Sequence, residues 1–164
     1  MVTATTISTQ AVWQILEQVA DPEIPVLTIS DMGIVRDVKL NGDEVEVIIT
    51  PTYTGCPAMD MIAMQIKMAL LENGYPKIKV TSVLSPAWST DWMTEEGKRK
   101  LKDYGIAPPQ PEPGRFERPG SFHVQCPLCN SSNTKCISEF GSTACKALYQ
   151  CNDCKEPFDY FKCH

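Results

Sequence analysis

Apolar residues recur at helical spacing in some stretches of the chain and at every second position in others, and the switches between the two mark its elements. Val12, Ile15, Leu16 and Val19 fall at i, i+3, i+4 and i+7 behind Ser8 or Thr9, either of which can cap a helix, with Trp13 beside the apolar face. Pro22 predicts the end of this helix, because it pushes Asp21 out of the α region. Gly33 then opens a strand over Ile34 to Leu40. Asn41-Gly42 signals a tight hairpin, and Glu44 to Thr50 returns with Val45, Val47 and Ile49 on one face. A second helix is expected from Pro57 to Asn73, stopped by Gly74. A strand over Lys77 to Leu84 follows. Thr94 caps the last helix, which carries Glu95 and Glu96 in its first turn, then Lys98, Arg99, Lys100 and Lys102, and ends at Gly105.

The second helix carries two apolar stripes. Met59, Ile62, Ala63, Ile66 and Leu70 form one; Met61, Met64, Met68 and Leu71 form another, nearly opposite. A helix on a single sheet layer buries only one of them. The other is covered by the chain termini or the C-terminal region, or it is offered to a partner, a use that adaptable methionines suit. Trp88 and Trp92, on the loop from Ser85 to Trp92, carry the same choice between plugging a small core and presenting a patch. Met61, Met64, Met68, Trp88 and Trp92 are therefore the partner-docking candidates.

Residues 107–120 hold five prolines and two glycines and read as a semi-rigid linker. It divides the chain into residues 1–106 and 121–164. The first part, in the order helix, two strands, helix, strand, helix, predicts an α/β unit: one small mixed sheet with helices packed on it. The second part has too few residues to bury an adequate core alone.

Cysteine supplies what that second part lacks. Cys126-Pro127-Leu128-Cys129 and Cys151-Asn152-Asp153-Cys154 are two C-x-x-C pairs with 21 residues between them. Each turn presents two thiolates, and a hairpin between the turns brings four together, the ligand set of a four-cysteine zinc ribbon. Disulfides or an iron–sulfur cluster on the same sulfurs are the competing readings. Cys145, Cys163 and His164 are candidate extra ligands, but the preferred reading makes Cys136 and Cys145 small packing residues and His164 a free end. Cys56 differs in kind: directly ahead of Pro57 it is expected at a helix N-cap, where the dipole and free N–H groups favour a thiolate. The turn Asp21-Pro22-Glu23-Ile24-Pro25 holds two carboxylates close together, either as a solvated helix stop or as part of a site.

Charge and composition narrow the function. A net charge of −5 gives no reason to expect nucleic-acid binding, which a ribbon alone would suggest. No apolar run approaches the ~20 residues of a membrane span. Residues 1–10 carry neither a basic n-region nor an apolar h-region, and eight cysteines without such a leader suit a reducing cytoplasm. An enzyme with Cys56 as nucleophile lacks a partner base, since the chain's two histidines, His123 and His164, both lie beyond the first part.

Residues 9–105 resemble the SufT-like family of iron–sulfur assembly factors. The residues that carry this are Asp21-Pro22-Glu23, Gly33-Ile34-Val35 and the Thr54-Gly55-Cys56-Pro57 helix start. Four longer stretches resemble the PaaD family of accessory proteins of bacterial phenylacetate degradation: Ile49 to Pro57, Leu84 to Met93, Glu139 to Tyr149 and Glu156 to His164. That resemblance implies a protein encoded with phenylacetyl-CoA epoxidase, a monooxygenase with a di-iron oxygenase subunit and a flavin/iron–sulfur reductase. It implies a role in maturing a metal centre rather than in oxygenation, with Cys56 as the reactive or cluster-related residue and Asp21 and Glu23 near it. The expected cofactors are zinc in the ribbon and transient iron or an iron–sulfur cluster on the first part. The expected partners are the oxygenase or reductase subunits, iron–sulfur assembly proteins, or a second copy of the chain. The competing expectation is an integral, non-catalytic subunit of the epoxidase.

Overall fold

A computed structural model of the protein describes residues 8–110 and 124–162. Most of the linker and the candidate ligands Cys163 and His164 lie outside the described residues.

Ser8 caps α1 (Thr9–Leu16), its Oγ accepting the Ala11 N–H at 3.1 Å. The helix stops at Leu16, well before Pro22. Tertiary hydrogen bonds override the local stop signal. The Asp21 N–H donates to the Leu27 carbonyl at 2.8 Å and the Ile29 N–H to the Val19 carbonyl at 2.9 Å. Residues 19–29 thus fold back on themselves and bury Ile24, Leu27 and Ile29.

β1 (Val35–Asn41) and β2 (Glu44–Ile49) form the antiparallel hairpin that Asn41-Gly42 predicts, with Val38 opposite Val47. α2 (Ala58–Glu72) then crosses back over the sheet, so β3 (Lys77–Ser82) enters parallel to β2 with Val80 opposite Val47. The order β1-β2-β3 is the expected small mixed sheet. Ala58, Ile62, Ile66 and Leu70 are the buried positions of α2, whereas Met61, Met64, Met68 and Leu71 stay exposed, Met64 at 59 %. After a short 3-10 turn (Thr90–Trp92), α3 (Glu95–Asp103) is capped by Thr94, whose Oγ1 accepts the Gly97 N–H at 2.9 Å.

The second sheet contains β4 (Ile106–Ala107), β5 (Thr134–Ser138), β6 (Lys146–Cys151) and β7 (Pro157–Phe161) in the order β4-β7-β6-β5. Its first strand comes from the end of the first part: Ile106 and Ala107 pair in parallel with Asp159 and Tyr160. The ribbon has a small core of Ala107, Val124, Ala147, Tyr149, Phe158 and Tyr160 with the sulfurs of Cys126 and Cys151. Cys145 and Phe161 belong instead to the larger core of the first part.

That sharing corrects one docking expectation. Trp88 is buried: its indole Nε1–H donates to the Met32 carbonyl at 2.8 Å and its ring meets Phe161 of the ribbon. Trp92 is half-buried, with the Arg36 guanidinium 3.5 Å above its ring. Gly33 sits directly behind it. A Cβ on Gly33, at φ +69°, would lie 2.4 Å from the Trp92 carbonyl oxygen, so only glycine lets the turn approach so closely. Both indoles thus serve packing. Of the docking candidates, the methionines remain as an exposed apolar face.

Candidate metal centre and thiol site

The ribbon brings its four predicted sulfurs together. The Sγ atoms of Cys126, Cys129, Cys151 and Cys154 all lie within 4.8 Å of one another. Two of the edges, Cys126 to Cys154 and Cys129 to Cys151, measure 3.8 and 3.6 Å. A tetrahedral ion with metal–sulfur bonds of about 2.3 Å needs edges of about 3.8 Å, so the cage has the right size.

The knuckles aim backbone N–H groups at their sulfurs. Those of Cys154 and Asp153 hold the Cys151 thiol down to about 7. Those of Ser131 and Glu156 pull Cys129 and Cys154 the same way, but burial and the neighbouring cysteine sulfurs outweigh them and leave both thiols above the ordinary value. A carboxylate braces the two turns: Asp153 accepts from the Asn133 amide at 2.9 Å and from the Ser131 hydroxyl. Among the described residues this is the one compact group of potential metal ligands, and all the described cysteines are free of disulfides.

The second site lies where the two parts meet. Gly55, at φ +79°, turns the chain ahead of α2, and the Cys56 N–H closes the turn onto the Tyr53 carbonyl at 3.3 Å. Pro57, not Cys56, occupies the cap position of α2, so Cys56 stands one residue outside the helix. The displacement is small, and the thiol remains partly exposed at the helix mouth. A side-chain hydrogen bond joins it to Tyr53, whose phenol burial and the adjoining thiol push above its ordinary value.

Asp21 and Glu23 take different roles. Asp21 is buried, and its Oδ1 accepts the N–H groups of Glu23 and Ile24, both at 2.8 Å, which fixes the turn. Burial pushes its carboxyl above the ordinary value, and Glu23 adds to the rise. Glu23, half-buried, faces the ribbon. The Cys145 thiol stands 3.7 Å from Glu23 Oε2 and 3.0 Å from Thr143 Oγ1. Burial, then Glu23 against the opposing Thr143 hydroxyl, leaves the Cys145 thiol pushed up to about 11. Cys145 thus packs in the core of the first part, as a small packing residue, and not among the ribbon sulfurs.

Tyr53, Thr143 and Lys146 are constituents that the sequence pattern did not single out. Lys146 is buried next to Cys145, 3.4 Å from Ser142 Oγ and 3.9 Å from Asp159 Oδ2. A cleft of about 380 Å³ opens beside these groups. Its lining includes Tyr53 and Thr54 from the Cys56 turn, Leu84 and Trp88 from the following loop, and Ala144 from the ribbon.

Comparison with known proteins divides the chain into two matched segments, although the cores share residues across that division. Residues 9–85 match the family described as iron–sulfur cluster assembly protein, and residues 110–162 match the PaaD zinc beta ribbon domain. A protein of Escherichia coli (strain K12), provisionally named as the D component of 1,2-phenylacetyl-CoA epoxidase, is 50 % identical over 93 % of this chain and 91 % of its own length. An Fe-S protein maturation auxiliary factor of Bacillus subtilis (strain 168) is 37 % identical over 52 % of this chain and 85 % of its own. Among solved structures, a domain of unknown function DUF59 from Bacillus anthracis superposes with a TM-score of 0.53. It has 30 % identity and covers 56 % of this chain and 89 % of that one. A conserved hypothetical protein from Thermotoga maritima gives a TM-score of 0.52 at 25 % identity, covering 60 % and 98 %. Taken with the cage and the docked ribbon, these likenesses establish that the chain belongs to the family of D-component proteins of phenylacetyl-CoA epoxidase, an iron–sulfur cluster assembly domain followed by a PaaD zinc beta ribbon.

Proposed function

We propose that this chain is a maturation factor that accepts iron or an iron–sulfur cluster at Cys56 and hands it to a subunit of a phenylacetyl-CoA epoxidase. The observation that carries this reading is the Cys56 thiol itself. It sits partly exposed at the mouth of α2, hydrogen-bonded to Tyr53, beside a cleft, in a domain that matches iron–sulfur assembly proteins. Such a thiol can give its proton to solvent, bind a soft metal ion or an iron of a preformed cluster, and release it again. Asp21 serves the site by holding its turn; Glu23, facing the Cys145 thiol, is the carboxylate placed to act on cargo. The ribbon cage is read as a zinc site held by Cys126, Cys129, Cys151 and Cys154. Zinc there supplies folding energy to a domain too small to be stable without it. The role is that of an accessory protein, not of the oxygenating enzyme.

The test is recipient metallation. Cys56→Ser, co-expressed with the epoxidase subunits, lowers the iron content of the recipient several-fold while this protein keeps its own fold and zinc. A fully metallated recipient in that strain removes Cys56 from the role.

A second reading, a stable non-catalytic subunit, draws on the exposed face of Met61, Met64, Met68 and Leu71 on α2. It requires fixed-ratio co-purification with the epoxidase, abolished by Met64→Lys. A maturation factor is instead substoichiometric and absent from the purified enzyme.

A further inference from the structure

We propose that Cys145 of the ribbon completes the thiol site of the first domain, so that Cys56, Cys145 and the Glu23 carboxylate together take one thiophilic divalent cation of the ferrous type. This rests on the reading of Cys56 as the cargo acceptor and adds the ligands that acceptance needs.

Cys145 and Glu23 are 122 positions apart in sequence, yet sulfur and carboxylate oxygen stand 3.7 Å apart across the junction. Cys145 packs with the core of the first domain, although β6, which begins at the next residue, belongs to the ribbon sheet. Tyr53 ties Cys56 to this place: its phenol bonds the Cys56 thiol and lies within electrostatic reach of both Glu23 and Cys145. Tyr53 and Ala144, the residue before Cys145, line the same cleft, which therefore borders the proposed site. Thr143 Oγ1, 3.0 Å from the Cys145 sulfur, can orient it as an outer hydroxyl orients a metal-bound thiolate. The buried Lys146 ammonium offsets negative charge that thiolates and carboxylate would gather there.

The donor set has the chemistry of a carrier. Two thiolates and one carboxylate suit ferrous iron, zinc or cobalt. Three protein ligands leave a coordination position open for exchange, whereas the four sulfurs of the ribbon close theirs. These donors are not already drawn within 4.8 Å of one another as the ribbon sulfurs are. Binding has to gather them, which weakens retention and favours release. As the two metal–sulfur bonds form, each thiol gives its proton to solvent.

Cobalt(II) tests this in the full-length protein with zinc already in the ribbon. Anaerobic titration of the wild type gives a thiolate-to-cobalt charge-transfer band that saturates at about one cobalt per chain, with the zinc retained. Cys56→Ser and Cys145→Ser each remove roughly half of the band intensity and weaken binding on the order of tenfold or more. Glu23→Gln weakens binding with the band intensity kept. Circular dichroism and zinc content verify the fold, and Cys145→Ala stands in should the serine variant unfold. A Cys145→Ser titration that superimposes on the wild type overturns the proposal, as does cobalt that enters only by expelling the ribbon zinc. Recipient metallation separates this failure from the broader one. If Cys56→Ser lowers recipient iron and Cys145→Ser does not, Cys56 keeps its role and the composite site falls. If neither lowers it, both fall.

Discussion

Trp88 stands edge-on to Phe161, with 6.0 Å between ring centroids and 80° between ring planes. One ring comes from the loop after β3 and the other from the last residue of β7, and both are buried. The contact joins the two parts of the chain in one apolar region, held from behind by the Trp88 Nε1–H bond to Met32.

Phe161→Ala therefore leaves a cavity at the junction and is expected to cost about 3–5 kcal/mol in urea unfolding. Trp88 fluorescence, read in a Trp13→Phe, Trp92→Phe background, reports the same change, since water reaching the indole shifts its emission to longer wavelength. An unchanged midpoint and emission maximum would mean that the two parts are held elsewhere.

Asp21 is predicted to matter for the turn and not for its charge. Asp21→Asn keeps an oxygen for the Glu23 and Ile24 N–H groups and leaves stability nearly unchanged. Asp21→Ala leaves both donors without that acceptor and costs about 1–3 kcal/mol. Thermal unfolding of the two variants decides it; equal loss in both would show that the carboxylate charge is required.

Zinc removal should act unevenly. Cys126→Ser, or a strong chelator, is expected to release about one zinc per chain and to open β5 and β6 to amide exchange. Buried amides of α2 then keep their protection longer, because Ile62, Ile66 and Leu70 pack in the other core. Uniform loss of protection along the chain would mean that the two cores unfold as one.

Asp31 supplies an acid-sensitive tie. Its carboxylate accepts the Thr28 N–H at 3.1 Å and pairs with Lys100 of α3 at 2.7 Å. Burial alone would raise the carboxyl, but Lys100 and Thr28 outweigh it and hold it below the ordinary 3.8. The sign follows from that depression. The stabilisation is fully present above the unfolded value and is lost as pH falls through the lower folded value. Asp31→Asn should thus flatten the fall in stability from about pH 5 downward, and an unaltered pH profile would contradict the assignment.

Local signals told most about local structure. Asn41-Gly42 placed the hairpin, Thr94 and Gly105 bounded α3, and the two C-x-x-C turns marked the cage. The features misjudged or left open depend on contacts that the local pattern does not show. α1 ends early because residues 19–29 bond among themselves, and no propensity at Glu17 announces it. Trp88 is buried by Phe161, a residue beyond the linker. Cys145 reads from spacing either as an extra ligand or as a packing residue; it packs in the first core, just ahead of a strand whose Ala147, Tyr149 and Cys151 face the ribbon core.

The pairing of Ile106 and Ala107 with Asp159 and Tyr160 changes what the peptide between the two parts is needed for. The first part donates a strand to the sheet of the second, and the second returns Phe161 and Cys145 to the core of the first. Each part thus keeps hold of the other on both sides of the proline-rich segment. A chain cut once within that segment should still copurify as a one-to-one complex, and the two pieces, made as separate polypeptides, should find each other. In this molecule, covalent continuity sets the local concentration at which the pieces meet, while β4, Cys145 and Phe161 determine how they fit together.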